Sequence, residues 1–276
     1  VDTAQRIFSD SCDHDLVEAA QDGVWPADLW QTLESNGLLQ LGLADSGTGL
    51  EELFEFLRVA GRFAVPLPLF ERLLAQVALQ REAKGVGLAE MHNGRVAMSW
   101  PEKHDAVLAL DAAKGTARLI ELAPLAQASL ATDVATMKGE PVQSFDVTKA
   151  WQEAKASEIE VPNLYALAAL GRTAAMCGGL EASLELAISY CSEREQFGRT
   201  ISKFQAIQHQ LAVFAAEVAA AQRATDSAIH SSLSSAELRV SDIAVAKVRV
   251  GAAVGVGSEI AHQVHGAMGF TMEYRL

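Results

Sequence analysis

Residues 163–276 constrain the fold more than any other part of the chain. Phe204, Ile207, Leu211, Phe214 and Val218 recur at alternating steps of three and four, which places them on one apolar stripe of a helix. Ahead of that stripe, residues 166–194 are rich in Ala and Leu. Behind it, a third helix is predicted over 241–265, where Gly251, Ala252, Gly255 and Gly257 thin the surface so that a neighbour can approach closely. The polar interval 230–237 reads as the connection between the second and third helices. Long helices that each have a side to bury imply an antiparallel bundle.

The first third also reads as helical. Pro26 suits a first turn and Gly37 a stop, and Leu29, Trp30 and Leu33 share a face between them. A Gly-rich loop, Asp45-Ser-Gly-Thr-Gly49, introduces a helix with Leu53, Phe54 and Leu57 inward. Pro66 and Pro68 precede another apolar helix over 69–79. From about 85 to 162 the period changes. Residues 107–110 and 116–122 flank Asp111-Ala-Ala-Lys-Gly115, a hairpin with a glycine turn, and further extended pieces are predicted at 95–100, 134–138 and 158–161. The expected fold is therefore mainly α, with an N-terminal helical domain (1–84), a small or reduced middle β domain (85–162) and a C-terminal antiparallel helical bundle (163–276).

Charge narrows the partners. A formal charge of -13 and a pI near 5.0 repel phosphate backbones and anionic lipid, so neither nucleic acid nor a membrane is an expected partner. Cys12, Cys177 and Cys191 are too few and too scattered for a disulfide framework or a zinc site, and read as small buried hydrophobes. Residues 1–10 show no basic region followed by an apolar run, so the expectation is a soluble cytoplasmic protein without a secretion signal.

Two segments carry more than periodicity: Tyr190-Cys-Ser-Glu-Arg-Glu-Gln-Phe-Gly-Arg-Thr-Ile-Ser-Lys-Phe-Gln-Ala-Ile-Gln208 and Gln263-Val-His-Gly-Ala-Met-Gly-Phe-Thr-Met-Glu-Tyr274. In this order, on successive helices of a C-terminal bundle, they resemble the two signature regions of the flavin-dependent acyl-CoA dehydrogenases. The resemblance implies FAD as cofactor and an acyl-CoA thioester as substrate. It makes Arg194, Gln196, Phe197, Phe204, Gln205, Gln263, Gly266 and Ala267 the candidate cofactor-binding positions. In that family they hold the adenosine half of a flavin that belongs mainly to a neighbouring chain. The residue types suit such a role, because a guanidinium forks onto phosphate oxygens and a glycine lets backbone approach a phosphate. Each has a plainer reading as well, Arg194 as a cation at a helix C-terminus, Phe197 as core, and Gln205 and Gln263 as surface amides. His262 and His265 lack a third metal ligand nearby, and Glu273 reads as structural or interfacial.

The same resemblance exposes departures. Family chemistry needs a glutamate base beside the substrate α-carbon. One family position for it lies beyond Leu276, and the other is Ala168, with Ala169 where an arginine is usual. Glu181 and Glu185 lie turns away along the same helix. The Thr-Glu-Pro and Gly-Ser-Asp stretch that holds the flavin ring is absent, because Trp100-Pro101-Glu102 passes almost directly to Lys103-His104-Asp105-Ala106. The middle unit is thus either reduced or lacking residues there. Ala267 replaces the second glycine of the usual pair. Short family members of this kind work as hetero-oligomers, as in bacterial steroid side-chain degradation, so the expected partners are a second acyl-CoA dehydrogenase subunit in a homo- or hetero-tetramer and an electron acceptor. The alternatives are a self-sufficient homo-oligomer and a flavin-free helical interaction protein.

Overall fold

The computed structural model describes residues 1–127, 131–133, 141–157, 159, 161–234 and 238–271. The predicted segment 134–138 and Glu273 lie outside them. The chain divides into two compact units, Val1–Leu53 with Val65–Ala168, and Phe54–Ala64 with Ala169–Leu276.

The first unit opens with α1 (Asp2–Ser11), α2 (His14–Gln21) and α3 (Ala27–Ser35). Asp13 caps α2 by accepting the Leu16 amide at 2.9 Å, and Leu29 and Leu33 are the buried residues of α3. Next come the start of α4 (Leu50–Arg62) and all of α5 (Leu69–Leu79). The middle strands are β1 (Val86–His92), β2 (Arg95–Ser99), β3 (Ala106–Asp111) and β4 (Thr116–Glu121). After α6 (Ala123–Gln127) come β5 (Ala131–Asp133), β6 (Val142–Asp146), α7 (Thr148–Glu153) and β7 (Ala156–Ser157). Among the described residues they form one sheet in the order β5-β6-β2-β1-β3-β4-β7. The predicted hairpin is β3–β4, paired from Ala106↔Glu121 to Asp111↔Thr116, with Gly115 at φ +63 in its turn. β3 is buried along its whole length, as a strand covered on both faces must be. Of the extended piece predicted over 158–161, residues 158 and 160 lie outside the described residues, and Val161 already belongs to a helix.

Residues 100–105 connect β2 to β3. Trp100 turns the chain in a left-handed conformation (φ 48), with its ring fully buried. Its amide donates to Pro141 O at 2.8 Å and its indole N–H to Pro66 O at 3.1 Å. The Asp105 and Ala106 amides both return to Gly85 O. The connection is short because its polar groups are satisfied locally.

The second unit holds the bundle: α8 (Val161–Glu193) from Ala169 onward, the hairpin β8 (Glu195–Gln196) and β9 (Arg199–Thr200), α9 (Gln205–Leu233) and α10 (Val240–His265). The α9 stripe is buried through Phe214 and Val218, which join Cys177, Leu180, Val250 and Val264 in one core. Helix α9 runs on to Leu233, so the predicted connection starts a turn later than its polar composition suggests. Residues Phe54–Ala64, the second half of α4, supply a fourth helical element. The approach is close. A β-carbon at Gly178 would lie 1.9 Å from Arg58 O, and one at Gly61 2.0 Å from Ala175 O. An ion-pair network rims that contact. Arg58 donates through Nε to Glu181 (2.8 Å) and through Nη1 to Asp226 (2.9 Å), and Arg62 pairs with Glu185. Burial acts to lower the Arg58 pKa, but its bond and charge interaction with Glu181 raise it overall. The Cys177 thiol is pushed up to about 11 by burial, so it stays an unreactive core group. All three cysteines are buried and free.

Candidate functional site

The two motifs meet at one end of the bundle. Helix α8 stops at Glu193, and the Arg194 amide still reaches back to Tyr190 O at 2.9 Å. The chain then reverses in a two-residue turn, Phe197 (φ 54) and Gly198 (φ 73), between β8 and β9. Consecutive positive φ values match the twist of a tight hairpin. Gly198 adopts one freely, whereas Phe197 does so at a cost of order 1–2 kcal/mol. The Ile201 amide closes the hairpin on Arg194 O at 2.8 Å. A 3₁₀ turn, Ile201–Lys203, leads to Phe204, which caps α9 without a side-chain bond, while Gln208 donates to Ser202 O at 3.0 Å.

This hairpin holds its functional groups open. Phe197 is 91 % exposed, against its reading as core. Its ring meets Phe204 edge-on at 6.2 Å, and the Arg199 guanidinium lies 4.3 Å over the Phe204 ring. Arg194, Gln196 and Gln205 are exposed. Among the described residues the Arg194 guanidinium has no carboxylate partner.

The second motif ends α10. Gln263 is exposed, and Gly266 terminates the helix at φ 60 and ψ -137. Among the described residues nothing lies within 4 Å of where its β-carbon would be, so backbone there is open to a ligand. Ala267 follows, exposed, in the 3₁₀ segment Gly266–Phe270. His262 donates from Nδ1 to Gly269 O (3.0 Å) and stacks on Phe270 at 4.7 Å. His265 is buried and packs on Tyr190 with ring centroids 4.6 Å apart. Neither histidine belongs to a metal cluster among the described residues. Sequence reasoning passed over the Tyr190–His265 pair, although both residues lie inside the quoted motifs. A histidine next to a glycine marks the position in sequence, but nothing in either motif names its partner.

An exposed guanidinium without a carboxylate partner among the described residues, an open aromatic ring, three amides and a glycine turn suit a flat base linked to a pyrophosphate. This donor set fits the adenosine diphosphate half of FAD. Among the described residues nothing comparable is seen for the flavin ring. Where its cradle was expected, the connection 100–105 is filled by Trp100 and by bonds to Gly85 and Pro141. The carboxylates of Glu181 and Glu185 are held by Arg58 and Arg62 rather than standing free as bases.

The family description "Acyl-CoA dehydrogenase, C-terminal domain" matches residues 166–276. "Acyl-CoA dehydrogenase IpdE2" of Mycobacterium tuberculosis is 27% identical over 238 residues, covering 84% of this chain and 69% of that protein. "Glutaryl-CoA dehydrogenase" of Desulfococcus multivorans is 38% identical over 109 residues, 37% of this chain and 27% of that protein. The ChsE4-ChsE5 complex of Mycobacterium tuberculosis contains a chain of like fold (TM-score 0.78, 18% identity, 99% of this chain and 86% of that one). The Tcur3481-Tcur3483 steroid ACAD has another (TM-score 0.79, 19% identity, 98% and 87%). No helix among the described residues is long and apolar enough to cross a membrane.

Proposed function

From the premise that this chain belongs to the acyl-CoA dehydrogenase family, we propose that it serves as one subunit of an FAD-dependent hetero-oligomer that desaturates an acyl-CoA thioester between its α and β carbons. The carrying observation is the exposed Phe197, held in a costly left-handed turn beside Arg194, which has no carboxylate partner among the described residues. Ordinary core packing would not expose the ring, and a surface loop would not need it.

The chemistry FAD supplies in this family is acceptance of a hydride from the acyl chain. This chain's own part is to bind. Arg194 neutralises the pyrophosphate, Phe197 and Phe204 offer apolar surface to the adenine, and Gln196, Gln205 and Gln263 donate or accept at the sugar and base edges. Gly266 and Ala267 bring backbone to the phosphate side. The α-proton is left to a base elsewhere, because Ala168 cannot take it and Glu181 and Glu185 are committed to arginines. The partner proposed is a second acyl-CoA dehydrogenase chain, by analogy with the paired chains named for the two solved structures. A bulky, steroid-derived acyl group is carried over from one of those names on the same basis.

Two measurements test the reading. Arg194→Ala should lower flavin affinity about ten- to hundredfold, the loss of one charge-assisted contact, with an unchanged circular dichroism spectrum. Unaltered flavin occupancy would remove the site. In a dye-reduction assay with acyl-CoA, residues 1–276 alone should be inactive and gain turnover only with a partner chain, such as the product of a neighbouring dehydrogenase gene, or with a longer C-terminus. Robust turnover by the chain alone would refute the accessory role.

A further inference from the structure

We infer that His265 is a positioning residue, whose packing on Tyr190 sets the Gly266 turn against the Arg194 hairpin. The inference rests on the proposed cofactor site and names what holds its two halves in register.

The geometry runs through very few bonds. His265 is 2 % exposed, at the last position of α10 and directly before Gly266. Its Nδ1 lies 2.7 Å from Ala261 O; a carbonyl can only accept, so Nδ1 carries the proton and the ring orientation is fixed. The opposite side of the contact is Tyr190, tilted 31° to the imidazole. The Tyr190 carbonyl accepts the Arg194 amide, which starts the hairpin. One ring pair thus joins the residue before the glycine turn to the residue whose carbonyl anchors the arginine. Arg194, Gln196, Phe197, Gln205 and Gln263 are themselves exposed. Their spacing must therefore be inherited from the buried layer beneath, and misplacement of such groups by a fraction of an ångström costs affinity.

A merely structural histidine would change stability alone, so the test reads flavin affinity separately from unfolding. FAD is titrated by fluorescence into flavin-stripped, purified full-length oligomer at a temperature well below every variant's unfolding midpoint. Wild type, His265→Ala, His265→Phe, Tyr190→Leu, the double variant Tyr190→Leu/His265→Ala and Arg194→Ala are compared. His265→Ala and Tyr190→Leu should each weaken FAD binding about tenfold, and the double variant little more than either. His265→Phe, which keeps the ring contact, should recover most of the loss. If Arg194→Ala weakens binding but His265→Ala lowers only the melting temperature, His265 is structural and this inference falls while the site stands. If Arg194→Ala itself has no effect, the site reading falls and this inference with it.

Discussion

Acidification should destabilise the first unit through His104. Its side chain is 8 % exposed, and neither ring nitrogen has a hydrogen-bonding partner among the described residues. Burial, and then the positive charge of Arg72, push its pKa down to about 4, with the Ser99 backbone and Asp105 opposing weakly. The folded protein therefore keeps the ring neutral while the unfolded chain protonates it near the ordinary histidine value. Because the unfolded state binds the extra proton, stability is fully present above about pH 6.5 and is lost as pH falls toward about 4. The gap between those two values corresponds to about 3 kcal/mol in all, roughly 2 kcal/mol of it between pH 7 and pH 5. Urea unfolding followed by tryptophan fluorescence at pH 7, 6 and 5, on wild type and His104→Leu, isolates this contribution, since the other titrating groups are common to both. The variant should lose about 2 kcal/mol less than wild type over that range. Parallel pH dependence in the two proteins would refute the reasoning.

Arg72 should be a stability liability of the same region. It is 4 % exposed, Nε and Nη1 are unpartnered among the described residues, and burial lowers its pKa against the pull of Glu82 and Glu34. Arg72→Met should raise stability in urea by about 1–3 kcal/mol and also shrink the His104 pH effect; a loss of stability would mean the guanidinium is partnered. Glycines should separate by what faces them. Gly178→Ala, aimed at Arg58 O, should cost more than about 3 kcal/mol or prevent folding, while Gly251→Ala, with open space before it, should gain up to about 1 kcal/mol by helix propensity. Thermal unfolding of the two variants checks the order, and equal effects would contradict the close approach of α4 to α8.

Periodicity and local chemistry were enough for much of this protein. The three-and-four stripe ending at Phe214 and Val218 named the buried side of α9, and Asp111 to Gly115 named the turn of the β3–β4 hairpin, because each depends on residues near one another in the chain. The two motifs were legible as residue types in order, but their meeting through Tyr190 and His265 was not, since nothing local to either specifies a partner so far along the chain. Small residues show the same limit. Gly251, Gly255 and Gly257 look alike in sequence, yet only Gly257 is pressed, its β-carbon position 2.5 Å from the Phe214 ring, while the other two face open space. Glycine permits close approach without saying from which side it comes. Packing also decided that Phe54–Ala64 sits with the C-terminal helices, through Gly61 and Gly178, and that His104 and Arg72 are shut away from water. Composition cannot reveal either outcome, because the cost of burying a charge, like the gain from joining two helices, exists only once distant segments have closed over it.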